Sequence, residues 1–269
     1  MTVHDVVLSY LNHLDRMEKK SARHSRSHAR VLLIQTEVVE QFDPVSYQMM
    51  RKDFGAKPAT INRELEILKQ AVRHWNRMRL PHEAVTLRYV PRLPENNVRQ
   101  GFFEEAEAVE VLAYLPTWLH VFCRFAYVTG WRKSEIAGLR WEWVNWANGD
   151  ICLPDSKNGE GRRIPLAGPL IGIMNLARTY RIEGCPWVFH DPEGNKIRDF
   201  RKRWLNACAK AGSPNRLFHD FRRTAVRNMI EAGIDREVAK KITGHKTDSM
   251  FARYQIVDQR QMISALEKL

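Results

Sequence analysis

Two Asn-Gly dipeptides, Asn148-Gly149 and Asn158-Gly159, stand close together in a chain whose other patterns are helical. Asn and Gly tolerate the positive φ of a two-residue hairpin turn, so Asn-Gly between aromatic or β-branched runs is a strong hairpin signal. The first follows Trp141-Glu142-Trp143-Val144-Asn145-Trp146 and precedes Ile151-Cys152-Leu153. The second leads into Arg162-Arg163-Ile164-Pro165-Leu166. Together they predict a three-stranded antiparallel sheet with Lys157 at the tip of its second turn. With helix elsewhere, the expected class is mainly α with a small antiparallel β-sheet, an α+β fold.

The helical patterns fall on either side of a break. Val3, Val7, Tyr10, Leu11 and Leu14 recur at amphipathic spacing, and a basic, His-rich stretch, Lys19 to Arg30, follows. Asp43 and Pro44 read as an N-cap and first helical residue. The clearest N-terminal helix takes Thr60 as N-cap and gathers Ile61, Leu65, Leu68, Val72 and Trp75 on one face. Asn62, Arg63, Lys69 and Arg73 lie on its other face, which taken alone is a solvated face. Tyr89 to Asn97, with two prolines and two asparagines, is the break and reads as a linker. Beyond it, Phe103 to Leu115 restarts a helix, and Trp118 to Val128 is apolar nearly all round, hence a buried helix ended by Gly130. Leu170 to Tyr180, Phe200 to Ala211 and the chain from His219 onward return to helix, with Gly233 and Gly244 as stops.

Composition narrows the partners. The 269 residues suffice for two modest domains, and 44% hydrophobic with 28% charged residues argues against general disorder. A formal net charge of +12 favours a polyanion, because neutralising phosphates releases counterions and drives non-specific DNA affinity. Cys123, Cys152, Cys185 and Cys208 form no C-x-x-C pair and have no metal-like spacing with histidine, so reduced thiols are expected and a metal site is not. Met1 to Lys20 carries charges throughout, without an apolar secretory core. The longest uncharged run, Ile164 to Ala177, is broken by two prolines and two glycines and falls short of the ~18 apolar residues of a membrane span. A cytoplasmic protein with no membrane partner is the expectation.

The stretch from His219 to Tyr254 concentrates reactive side chains. His219 and Arg222 lie three apart at a helix start and point off one face. His245 stands at a later helix-to-turn junction, and Tyr254 follows nine residues on. A second arginine is offered earlier, in Thr129-Gly130-Trp131-Arg132-Lys133-Ser134-Glu135. Two imidazoles, two guanidinium groups and a phenol suit a phosphodiester. Each has a plainer alternative alone: Tyr254 as a half-buried core aromatic, His219 as a helix-start side chain, Lys157 as a solvated turn lysine.

TGWRKSEIAGLRW, SKNGEGRRIPL, HDFRRTAV, TGHKT and the Tyr254 segment resemble, in order and spacing, the signature boxes of tyrosine recombinases of the phage-integrase type. The resemblance is specific from Phe102 to the C-terminus and looser from Met1 to Pro94. It implies a helical core-binding domain over 1–94, a linker over 95–101 and a tyrosine-recombinase catalytic domain over 102–269. PATINRELEILKQAV looks like the last long helix of a core-binding domain, which puts Asn62, Arg63, Lys69 and Arg73 against DNA. About 95 residues before the catalytic part leave little room for an arm-site-binding domain, and none is expected.

Cleaving a phosphodiester without metal requires charge stabilisation on the non-bridging oxygens, and preorganised donors do most of it. The resemblance gives Arg132 and Arg222 the clamp on the scissile phosphate, where a planar guanidinium makes paired hydrogen bonds. His219 and His245 add hydrogen bonds or move protons, and Glu135 orients an arginine. Tyr254 attacks phosphorus to form a 3′-phosphotyrosyl intermediate, and Lys157 protonates the departing 5′-oxygen. Lys133 and Lys246 lie near other boxes and compete for that last role. No cofactor is expected, because the phosphotyrosyl bond keeps the energy of the cleaved linkage. Double-stranded DNA is the implied substrate and a homotetramer on synapsed DNA the implied unit, with room for accessory bending or directionality proteins. Ile256 to Leu269 carries a helical apolar pattern, expected to dock on a neighbouring protomer, with an intramolecular core helix as the competing reading. A type IB topoisomerase and a non-catalytic DNA-binding relative are the rival functions.

Overall fold

The computed structural model describes residues 1–96, 101–154, 161–248, 251, 263, 266 and 267. The chain divides into two compact units, Met1–Val98 and Arg99–Leu269.

Four helices build the first unit: α1 (Val3–Arg16), α2 (Ala22–Ala29), α3 (Pro44–Asp53) and α4 (Pro58–Arg77). Thr2 caps α1 reciprocally with Asp5, and Asp43 caps α3 with Pro44 in the first turn. The apolar faces of α1 and α4 meet, burying Val3, Val7 and Leu11 with Ile61, Leu65 and Leu68. α4 starts earlier than its pattern suggests. Lys57 holds the N-cap position and Pro58 the first helical position, leaving Thr60 inside the first turn, because proline's fixed φ is already helical. α2 lies in the stretch read only as basic; it buries Ala22 and Ala29 alone, too few to show a helical rhythm in sequence.

The segment read as linker is partly bound to this unit. Asn76 Nδ2 donates to the Val85 carbonyl at 2.9 Å, and its Oδ1 accepts from Val85 N at 3.0 Å. Lys69 Nζ donates to the Val90 carbonyl, Gln48 Nε2 to that of Pro91, and Asn62 clasps Leu93 through both its carbonyl and its N–H. With Val85 and Val90 buried, residues 85–93 form a strap tied down by side chains at Val85, Val90, Pro91 and Leu93.

The second unit packs helices around the helix Thr117–Thr129, with a small sheet beside them. Among the described residues its helices are α5 (Glu105–Ala113), α6 (Thr117–Thr129), α7 (Lys133–Ala137), α8 (Pro169–Thr179), α9 (Arg201–Lys210), α10 (Asp220–Glu231) and α11 (Arg236–Thr243). α6 is the buried helix of the sequence pattern, with α8 and α10 packed on it. Edge-to-face aromatic contacts among Phe103, Phe122, Phe200, Trp204, Phe218 and Phe221 fill the core. Strands β1 (Val144–Asn145), β2 (Asp150–Leu153) and β3 (Arg162–Pro165) form an antiparallel sheet in that order, with Val144 opposite Ile151 and Ile151 opposite Ile164. Asn145 pairs with Asp150, so the first turn is a four-residue loop, 146–149, rather than a two-residue one; Gly149 takes φ 64° in it and Asn148 keeps a negative φ. Lys157 and the second Asn-Gly lie outside the described residues.

Candidate active site

Two helix ends make the frame. α6 stops at Gly130 (φ 62°) and α11 at Gly244 (φ 71°), both left-handed caps that favour glycine. The next residues are Trp131-Arg132 and His245, so each cap delivers a candidate residue. Arg222 joins the two ends: its Nη1 lies 2.5 Å from the Gly130 carbonyl and 2.5 Å from that of Thr243. A guanidinium fits here because the unpaired carbonyls of helix C-termini carry partial negative charge. Arg222 is 2% exposed and comes from the first turn of α10, directly after His219 at the N-cap position. Trp131 Nε1 adds a third tie, donating to the Ile242 carbonyl at 2.9 Å.

Arg132 sits at the start of α7, where Glu135 turns back to it. Glu135 Oε2 accepts from Arg132 N at 3.0 Å, and Oε1 from Arg132 Nη1 at 2.9 Å. The carboxylate is nearly buried and is shared with a second guanidinium, Arg162 Nη2. Burial alone would raise the Glu135 pKa, but the Arg162 charge, with the hydrogen bonds and charge of Arg132, holds it below the usual carboxylate range.

His245 is buried and its ring meets Phe251 edge-on, with centroids 5.4 Å apart. Its Nδ1 lies 2.6 Å from Thr243 Oγ1, which lies 2.7 Å from the Ala239 carbonyl. Desolvation pushes its pKa down to about 3, assisted by the charges of Arg222, Arg132, Arg162 and His219. Desolvation also lowers His219, followed by Arg222 and Arg223, although that residue keeps an exposed surface. Both imidazoles are therefore neutral at physiological pH beside fixed cations. The pocket is thus electropositive, with both imidazoles set among fixed guanidinium charges.

The structure thus gathers Arg132, Glu135, His219, Arg222 and His245 from three separate stretches of chain. Lys157 and Tyr254 lie outside the described residues, as does most of Ile256 to Leu269. Asn62 and Lys69 carry the strap contacts already described. On the same helix, Arg63 and Arg73 are exposed, the first bonded to the Ala59 carbonyl and the second 3.8 Å from Glu66. Arg162 is the site residue that the motif reading passed over. Its signal was strand alternation: with Ile164 facing the core, Arg162 must share that face while Arg163 points out.

Among the described residues no group of three or more His, Cys, Asp or Glu is placed to hold a metal ion, and no helix is long and apolar enough to cross a membrane. One histidine pair does have helical chelate spacing: His24 and His28 on α2, with Nε2 atoms 3.1 Å apart.

The sequence and the fold have counterparts among known proteins. A family model described as "Phage integrase family" matches residues 96–261. The shufflon-specific DNA recombinase of Escherichia coli is 29% identical over 154 residues, covering 55% of this chain and 37% of that protein. The chain thus matches little more than a third of that relative's length. A crystal structure of a lambda integrase dimer bound to a COC' core site has a TM-score of 0.80 at 20% identity, covering 97% of each chain. A lambda integrase tetramer bound to a Holliday junction has a TM-score of 0.77 at 18% identity, covering 95% of this chain and 78% of that one.

Proposed function

Because the chain belongs to the phage integrase family, we propose that it is a site-specific DNA recombinase that cuts and rejoins strands through a covalent 3′-phosphotyrosyl intermediate. The observation that carries the reading is the cluster at the two helix caps, where Arg132 and Arg222 stand with neutral His219 and His245. A scissile phosphate entering there meets guanidinium groups already oriented, one by Glu135 and the other by the Gly130 and Thr243 carbonyls. Charge that builds on the non-bridging oxygens in the transition state is met without reorganisation.

In this reading the Tyr254 phenolic oxygen forms a bond to phosphorus as the bond to the deoxyribose 5′-oxygen breaks. The phenol has an ordinary pKa near 10, so its proton needs an acceptor, and a neutral imidazole of the cluster supplies one. Lys157 gives the departing 5′-oxygen its proton. Religation reverses these steps with a different 5′-hydroxyl, and no ATP or metal enters.

The partner is double-stranded DNA, held in part by the exposed Arg63 and Arg73 of α4. The lambda tetramer on a Holliday junction supports a homotetramer as the working unit; the cytoplasm is the proposed compartment. Integration or excision of a phage or mobile element is the biological reaction, with accessory DNA-bending or directionality proteins as further partners.

The test is an SDS-resistant protein–DNA adduct on a nicked duplex carrying the end sequence of the chain's own element. The wild type should form the adduct and leave a free 5′-hydroxyl, while Tyr254→Phe binds the duplex and forms none. If neither forms an adduct on DNA that both bind tightly, the chain is a non-catalytic DNA-binding relative. Supercoil relaxation without strand exchange would instead identify a type IB topoisomerase.

A further inference from the structure

Arg162 meets both arms of the site at once. Its side chain is 10% exposed, its Nη2 is on Glu135 Oε2, and its Cζ stands 4.3 Å from the centre of the Trp131 ring. On the other side it lies against Gly244, where a Cβ would overlap its Nη1. Trp131 and Glu135 flank Arg132, and Gly244 immediately precedes His245. One guanidinium therefore touches the chain beside each of two candidate residues, from a position inside the SKNGEGRRIPL box to which no role had been given.

We infer that Arg162 is a positioning residue for the proposed cleavage: it fixes the Glu135 carboxylate, and through it the guanidinium of Arg132, against the Gly244-His245 turn. The inference rests on the site reading given above. Its physical basis is the division of Glu135's oxygens. Oε2 takes Arg162 and the Arg132 N–H, while Oε1 takes Arg132 Nη1. Without Arg162 the carboxylate keeps a single cationic partner and regains rotation about its last torsion, so Arg132 loses a fixed anchor. Stacking on Trp131 sets the plane of the Arg162 fork, and Gly244 leaves space for it. A lysine would supply the charge but neither the plane nor the second nitrogen.

The experiment measures single-turnover adduct formation on the nicked duplex used above, together with duplex affinity and thermal stability. Arg162→Met should slow cleavage roughly 10–100-fold, the usual range for an outer partner that orients a site ligand, with DNA affinity changed less than about twofold. Arg162→Lys should recover part of that rate, and Arg163→Met, on the exposed face of β3, should cleave as the wild type does. The decisive variant is Arg162→Met combined with Arg132→Lys. If Arg162 acts through Arg132, the double variant cleaves within about threefold of Arg132→Lys alone, while losses of stability remain separate. Losses that multiply in the double variant would overturn the inference, as would wild-type cleavage by Arg162→Met. If Arg162→Met does not fold, Arg162→Lys in the same combination carries the test. Absence of an adduct from the wild type would instead remove the site reading, and this inference with it.

Discussion

Thr243 Oγ1 lies 2.6 Å from His245 Nδ1, and that contact fixes which imidazole nitrogen carries the proton. The Thr243 hydroxyl has one proton and lies 2.7 Å from the Ala239 carbonyl, which can only accept. Nδ1–H must then donate to Oγ1, leaving Nε2 as the lone-pair nitrogen of a neutral ring. Nitrogen-15 NMR at neutral pH should show His245 as the Nδ1–H tautomer. Thr243→Val removes the acceptor and should shift the ring toward the Nε2–H form. An Nε2–H signal in the wild type would contradict the assignment and exclude His245 as the acceptor of the tyrosine proton.

The same histidine makes the fold sensitive to acid. His245 is held down to about 3 by desolvation and by neighbouring arginines, against an ordinary value near 6.5. Between those values the unfolded chain binds a proton that the folded chain refuses, so stability is complete above about pH 6.5 and falls as pH drops toward 3. At pH 5 this one group removes about 2 kcal/mol. His219, also depressed, acts in the same direction. Urea midpoints at pH 7.5 and pH 5 should differ accordingly, and His245→Gln should flatten the difference. An unchanged slope in that variant would show that the acid sensitivity lies elsewhere.

Gly244 is constrained twice, and a second glycine separates the two causes. Gly244 has φ 71° and Arg162 pressed against it, whereas Gly233 has φ 75° with nothing within 4 Å of an added Cβ. Gly233→Ala should therefore cost about 1 kcal/mol, the strain of a left-handed residue alone. Gly244→Ala should cost on the order of 2–4 kcal/mol, adding the overlap with a guanidinium held by Glu135 and Trp131. Chemical denaturation of both variants tests this. In an Arg162→Met background the Gly244→Ala penalty should fall toward that of Gly233→Ala.

What could be read in advance follows from the range of the forces involved. Asp43-Pro44, Asn148-Gly149 and the glycines after α6 and α11 are local backbone signals, and each marks the turn or cap it suggests. The candidate residues stood out because their types and order resemble a known pattern. Strand alternation turns Arg162 inward, but its role depends on a carboxylate 27 positions away and a ring 31 positions away, partners that alternation does not name. The strap over 85–93 was missed for a similar reason. Prolines and asparagines mark a loop, but only the fold shows that Asn62 and Asn76 fasten it.

That fastening sets how readily the strap opens. Asn62 makes two hydrogen bonds to Leu93, at 2.8 and 2.9 Å, and a net hydrogen bond contributes about 1 kcal/mol. Asn62→Ala should lower the local opening free energy by about 1–2 kcal/mol while leaving the α1–α4 core in place. Arg88 and Arg92 are exposed trypsin sites within the strap. Native-state cleavage at them should accelerate roughly tenfold, the factor that 1.4 kcal/mol produces, with little change in global unfolding. Equal cleavage of wild type and variant would mean that other contacts hold the strap.

Among the described residues Glu135 is the carboxylate paired with both Arg132 and Arg162, so its charge has opposite consequences for folding and for DNA. Its side chain is 4% exposed and paired on both oxygens, and removing one partner from such a buried network costs about 3–5 kcal/mol. Glu135→Gln keeps the shape but brings an amide N–H₂ against one of two guanidinium groups, placing donor against donor. Its unfolding free energy, read from urea denaturation, should fall by an amount within or just below that range. The variant also adds one positive charge to the pocket, so non-specific duplex affinity should rise slightly at low salt and converge with the wild type as salt screens it. Cleavage should nevertheless be slower, because Arg132 is no longer anchored. Tighter non-specific binding with slower cleavage separates an orienting carboxylate from one that merely balances charge, since relieving simple charge balance would not slow the chemical step.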